Sequence, residues 1–235
     1  MKLYVKRYKQ KTAECAVAAV ASVANFYNSK MGYRRTRKIA LDYVLDSLSG
    51  GLDSGEIISL LNFVGFEKVT TVSCDINFLD FSWANLSREE LVEKLDCAGK
   101  ISGRDYRSDC KSLCKALSDF NYANNLIIDY KFDHYIKPFL LKNQPLILCF
   151  NWTIFFKQPK YSGDLIDPFY GEWEEHAVVA CGYNRRGVHV VDSHVDFYKG
   201  VLGRYKNGRY YIPWVDLRGV MGFGDIYMPE NYNAV

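Results

Sequence analysis

The sequence predicts an α+β protein. Two observations carry this: alanine- and leucine-rich segments bounded by helix caps fill the chain up to about residue 120, and short runs rich in β-branched and aromatic residues follow from about residue 125. Helices and strands fall in separate blocks and not in repeated βαβ units, so the sheet is expected to be antiparallel and to lie in the C-terminal half. At 235 residues and 49% hydrophobic content the chain can bury one full core. A single domain over 1–235 is therefore expected, with a helical lobe over about 1–130 and a β-rich lobe over about 131–235.

Residues 16–27 read as a helix buried on nearly every side, because five alanines let neighbours approach while Val17, Val20, Val23 and Phe26 supply bulk. Helices over 37–48 and 54–64 end at Gly50-Gly51 and Gly65, each a left-handed glycine stop. Ser87 and Glu90 have capping-box spacing and open a helix through Leu95; further helices are expected over about 108–120 and over 133–142. Strands are expected at 126–130, 146–152, 177–183, 188–192, 209–213 and 225–228. The polar stretch 157–175 reads as a surface loop. Residues 66–130 otherwise carry little that orients them.

Lys+Arg 30 against Asp+Glu 27 leaves a net charge of +3, too little to argue for nucleic acid. The basic run Arg34 to Lys38 reads as a solvated face. The first ten residues do not form a signal peptide, and no run approaches the ~20 apolar residues that a membrane helix needs. A cytoplasmic protein that engages no membrane is expected. Seven cysteines without regular spacing do not form a disulfide framework, so free thiols are expected.

Cys15 immediately precedes the alanine-rich helix, where unpaired amides and the helix dipole favour a thiolate. The same placement also fits a small buried cysteine packed among alanines. Gln10, five residues upstream, can direct its carboxamide and the Cys15 N–H into one hole for a developing oxyanion. Downstream, two β-rich runs around residues 182–187 form a hairpin. A five-residue loop over 182–186 sets Asp192 directly opposite His176 on one face and turns His189 away, whereas a two-residue turn at Arg185-Arg186 separates His176 and Asp192. A carboxylate beside His176 fixes the imidazole so that its other nitrogen can take a thiol proton.

Gln10-x-x-x-x-Cys15 before an alanine-rich helix, then His176-Ala177-Val178-Val179-x-x-Gly182-Tyr183, then Asp192, resembles the papain-like cysteine peptidases that process bacteriocin leaders, stand-alone relatives included. The stretch from Leu140 to Ile147, with Pro145, is similar to the family's helix, turn and buried strand before the histidine. The chain has Ala16 where the family usually has glycine after the nucleophile. The resemblance implies a papain-like fold and a Cys15-His176-Asp192 triad with Gln10 at the oxyanion. It further implies hydrolysis of peptide or isopeptide bonds in a peptide or protein substrate without a cofactor or metal.

The same triad could instead pass its acyl group to an amine or thiol, as transglutaminase-like and phytochelatin-synthase-like enzymes do, or belong to a silent peptide-binding module. Substrate, oligomeric state and any need for activation are not legible. Cys110 and Cys114, with Cys97 and His134 as companions, lack paired zinc knuckles and read as core spacing. Gly50-Gly51 reads as a helix stop and not as a cleavage sequence.

Overall fold

The protein is described by a computed structural model that covers residues 2–11, 13–44, 51–101, 104–162, 165–194, 207–222 and 224–233. Helix α1 (Cys15–Tyr27) has nine consecutive buried residues, Ala16 to Ala24, as its small side chains allow. Helix α2 (Tyr33–Tyr43) starts four residues earlier than expected, so the basic run lies inside it; the expected stop at Gly50 falls outside the described residues. Helix α3 (Ser54–Phe63) opens on a capping box of Asp53 and Glu56, and Gly65 ends it at φ 122.

Strand β1 (Phe66–Ser73) follows, then α4 (Arg88–Ile101), opened by the reciprocal Ser87 and Glu90 bonds, then α5 (Arg104–Ser118) and β2 (Asn125–Ile128). The rest runs α6 (Phe132–Leu141), β3 (Leu146–Asn151), a short α7 (Trp152–Phe155), the small hairpin β4 (Tyr161–Ser162) and β5 (Leu165–Ile166), and β6 (Glu175–Asn184). Strands β7 (Gly187–Val191) and β8 (Arg209–Pro213), helix α8 (Trp214–Val220) and β9 (Asp225–Tyr232) complete it.

Among the described residues seven strands form one sheet in the order β2-β1-β9-β3-β6-β7-β8. This corrects two expectations. The expected helical lobe contributes β1, which was not expected, beside the expected β2, and the two pair in parallel. Strand β1 was missed because it lies between β2 and β9 and is buried on both faces, which removes the alternation that marks a half-exposed strand.

One sheet face packs on α1, α3, α4 and α5 through Ile147, Cys149, Ala177 and Val179; the other packs on α6, α7 and α8 through Leu148, Phe150, Val178 and Ala180. Among the described residues no helix is long and apolar enough to cross a membrane. Cys110 is buried and Cys97 is exposed, and no cluster of three or more metal-ligating side chains occurs among the described residues.

Candidate active site

The ends of β1, β3 and β7 and the starts of β6 and β9 lie along one edge of the sheet, as the antiparallel registers require. Helix α1 begins at this edge with Cys15. The chain reaches it through Ala13, in the left-handed region at φ 52, and Glu14. Glu14 is 3% exposed; its carboxylate accepts from the Tyr33 hydroxyl and from Arg37 Nε at 3.0 Å. Arg37 therefore braces the turn before Cys15 and does not merely sit on a solvated face. Because Arg37→Leu leaves a buried carboxylate without its cation, it is expected to cost about 2–3 kcal/mol in urea unfolding, part of a buried pair's usual cost since Arg37 is partly exposed.

His176 and Asp192 meet with Nε2 to Oδ1 at 2.8 Å, both buried. The route differs from the expected one. The hairpin has the two-residue turn, Asn184 opposite Gly187, which alone would separate the two side chains. A β-bulge between Ala180 and Gly182 inserts one residue and restores the parity, pairing Ala180 with Val190 and Val179 with Val191. His176 and Asp192 thus share a face as diagonal neighbours and not as a direct pair. His189 points away, its Nε2 3.3 Å from Asn184 Nδ2 and its ring against Tyr211.

Asp192 is fully buried. Its Oδ1 also accepts from the His194 N–H at 2.7 Å, and its Oδ2 accepts from the Tyr210 hydroxyl at 2.9 Å. With Nε2 turned to Asp192, Nδ1 is the nitrogen left for Cys15, whose thiol lies close enough for the imidazolium to act on it. Burial would lower the His176 pKa, but the Asp192 carboxylate and the Cys15 sulfur raise it to about 10. Burial would raise the Cys15 pKa, yet the imidazolium and the backbone amides of Ala177 and Ala16 hold it below the ordinary thiol value. The lowered thiol and the raised imidazole both favour the thiolate–imidazolium pair over the neutral pair.

Gln10 is held at the same end of the sheet. Its N–H donates to the Ser193 carbonyl at 3.3 Å, and its Oε1 accepts from Ser193 Oγ at 2.7 Å, which leaves the carboxamide NH2 as the group it can offer elsewhere. The N-terminal segment is strapped across β6, β7 and β8: Leu3 N–H donates to Cys181 O at 2.6 Å, Arg7 Nε to Asp192 O at 2.6 Å and Arg209 to Val5 O at 2.6 Å. Arg7, Ser193 and Tyr210 were not foreseen. Each acts on a residue about 180 positions away, or 18 for Tyr210, and no spacing signal reports such contacts.

No family model matches the sequence, and no curated protein matches it. A solved structure described as "an putative C39-like peptidase from Bacillus anthracis" is similar over 99% of this chain and 100% of that one, at a TM-score of 0.45 and 12% sequence identity. Those values lie below the level at which a shared fold follows, so the site rests on its own geometry.

Proposed function

We propose that this chain is a cysteine peptidase with a single papain-like domain, in which Cys15 is the nucleophile, His176 the general base and acid, Asp192 its orienting partner and Gln10 an oxyanion donor. The observation that carries the reading is the bond from His176 Nε2 to a fully buried Asp192, with Cys15 opening α1 close enough for the imidazolium to lower its pKa. Thiolate attack forms a C–S bond at the scissile carbonyl, and the oxyanion is held by the Cys15 N–H and the Gln10 amide. Collapse breaks the C–N bond, and His176 gives its Nδ1 proton to the leaving amine. A water then loses a proton to Nδ1 and attacks the thioester, releasing the acid and restoring the thiol pair.

The test is incubation with a broad peptide library, with and without an amine acceptor, read by mass spectrometry beside Cys15→Ala. Shortened peptides with free carboxyl ends that vanish in Cys15→Ala are expected. Acceptor-linked products that outgrow free acids would move the reaction to acyl transfer, and binding without any product would reduce the chain to a peptide-binding module.

A further inference from the structure

We propose that Ser193 is a positioning residue for the oxyanion hole. Its hydroxyl fixes which end of the Gln10 carboxamide is offered to the reacting carbonyl, so that the short segment from Asp192 to His194 orients the base and the oxyanion donor together. This deepens the peptidase reading and rests on Gln10 being the oxyanion donor.

A carboxamide has a donor end and an acceptor end of nearly the same shape, and half a turn about its last bond exchanges them in the same space. Only the NH2 end stabilises an oxyanion; the carbonyl oxygen in its place would repel one. Gln10 therefore needs a partner that holds its oxygen. Ser193 Oγ donates to Gln10 Oε1 at 2.7 Å, and the Gln10 N–H donates to the Ser193 carbonyl at 3.3 Å, so the two residues are matched through side chain and backbone. Ser193 is 5% exposed, and solvent offers its hydroxyl little competition.

Ser193 is itself held from both sides. Asp192 Oδ1 accepts from the His194 N–H at 2.7 Å, an Asx turn that fixes the backbone around Ser193. Arg7 donates from Nε to the Asp192 carbonyl at 2.6 Å and from Nη2 to the His194 carbonyl at 3.3 Å. Gly208 makes room for this clamp. It lies at φ 72, its carbonyl accepts from the Asp192 N–H at 2.8 Å, and a Cβ there would stand 2.1 Å from Arg7 Nε. The Asp192 carboxylate meets His176 and the Ser193 hydroxyl meets Gln10, so adjacent residues on one braced segment serve the two halves of the reaction.

The test compares two reactions of the Cys15 thiolate in the intact protein, each corrected for the rate in Cys15→Ala. p-Nitrophenyl acetate is attacked at its carbonyl: a C–S bond forms, an oxyanion develops, and the C–O bond breaks as p-nitrophenolate leaves. Iodoacetamide is attacked at its methylene carbon and iodide leaves, with no oxyanion. Both reactions need the thiolate, so the ratio of their rate constants reports the oxyanion hole apart from the state of the thiol. The ratio is expected to fall about 10-fold or more in Gln10→Ala. It should fall about 3- to 10-fold in Ser193→Ala, the span of one neutral hydrogen bond. Ser193→Ala added to Gln10→Ala should lower it no further, because the two residues act as one unit, and Ser193→Thr, which keeps the hydroxyl, should restore most of the loss. An unchanged ratio in Ser193→Ala beside a lowered one in Gln10→Ala would overturn the inference and leave Gln10 as the donor. So would a loss in Ser193→Ala that persists in the Gln10→Ala background, or an equal fall of both rates. An unchanged ratio in Gln10→Ala would instead remove the oxyanion role of Gln10, and the inference with it.

Discussion

Asp192→Ala is expected to lower stability by about 3–5 kcal/mol and turnover by ~10²–10⁴-fold. Asp192 is fully buried and accepts hydrogen bonds from His176, the His194 N–H and Tyr210, so alanine takes their shared acceptor from three donors at a position without solvent exposure. It also removes the charge that holds His176 near 10, and burial, no longer opposed, favours the neutral ring. The raised pKa of His176 is a stability contribution. It is fully present below the ordinary histidine value of 6.5 and is lost as pH rises through about 10. Urea unfolding of wild type should therefore weaken between those limits, and the variant should lose that slope. Asp192→Asn separates the two effects, since it keeps an acceptor but not the charge: most of the stability should return and most of the lost turnover should not. An Asp192→Ala protein as stable and as active as wild type would remove Asp192 from both roles.

Local chemistry wrote the helices clearly. Alanines packed on every side of α1, the Ser87 and Glu90 capping box and the glycine at 65 each act within a few residues, where spacing alone specifies the backbone. The Asp53 and Glu56 box had the same spacing and could have been found the same way. Strand β1 was harder, because Val69 to Ser73 are buried without alternation. Its parallel pairing with β2 joins residues some 55 apart, and nothing in either segment specifies that partner.

The His176 and Asp192 side chains bond across strands by a route that parity alone does not select. Parity requires the two side chains to share a face if they are to bond, and that constraint alone does not choose between a long loop and a tight turn compensated by a bulge. The chain uses the second, with Asn184 capping a two-residue turn through bonds from Arg186 N at 2.7 Å and Gly187 N at 3.2 Å. A bulge has little sequence signature beyond a small residue, here Gly182, at its border. The bracing of Cys15 was hidden for a different reason. Arg37 sits in a run of basic residues that looks solvated, and only the fold brings Glu14 to it.

His176→Ala is the larger test of the chemistry, with turnover expected to fall by ~10⁴-fold or more, since nucleophile and base act as one unit. The pH profile of Cys15 alkylation by iodoacetamide gives a second readout that does not depend on knowing a substrate. In wild type the acid limb should lie below the ordinary thiol value of 9.0, because the imidazolium and the Ala177 and Ala16 amides outweigh burial. A further change in rate is expected near 10 as His176 loses its proton. Without the imidazole, burial acts on the thiol with less opposition, so the acid limb should shift upward and labelling at pH 7 should slow by ~10-fold or more. Buried Cys149, whose thiol is raised well above 9.0 by burial and by nearby carboxylates, serves as the internal control and should stay unlabelled in both proteins. A Cys15 profile that superimposes on wild type after His176→Ala would mean that the imidazole does not activate the thiol, whatever their proximity.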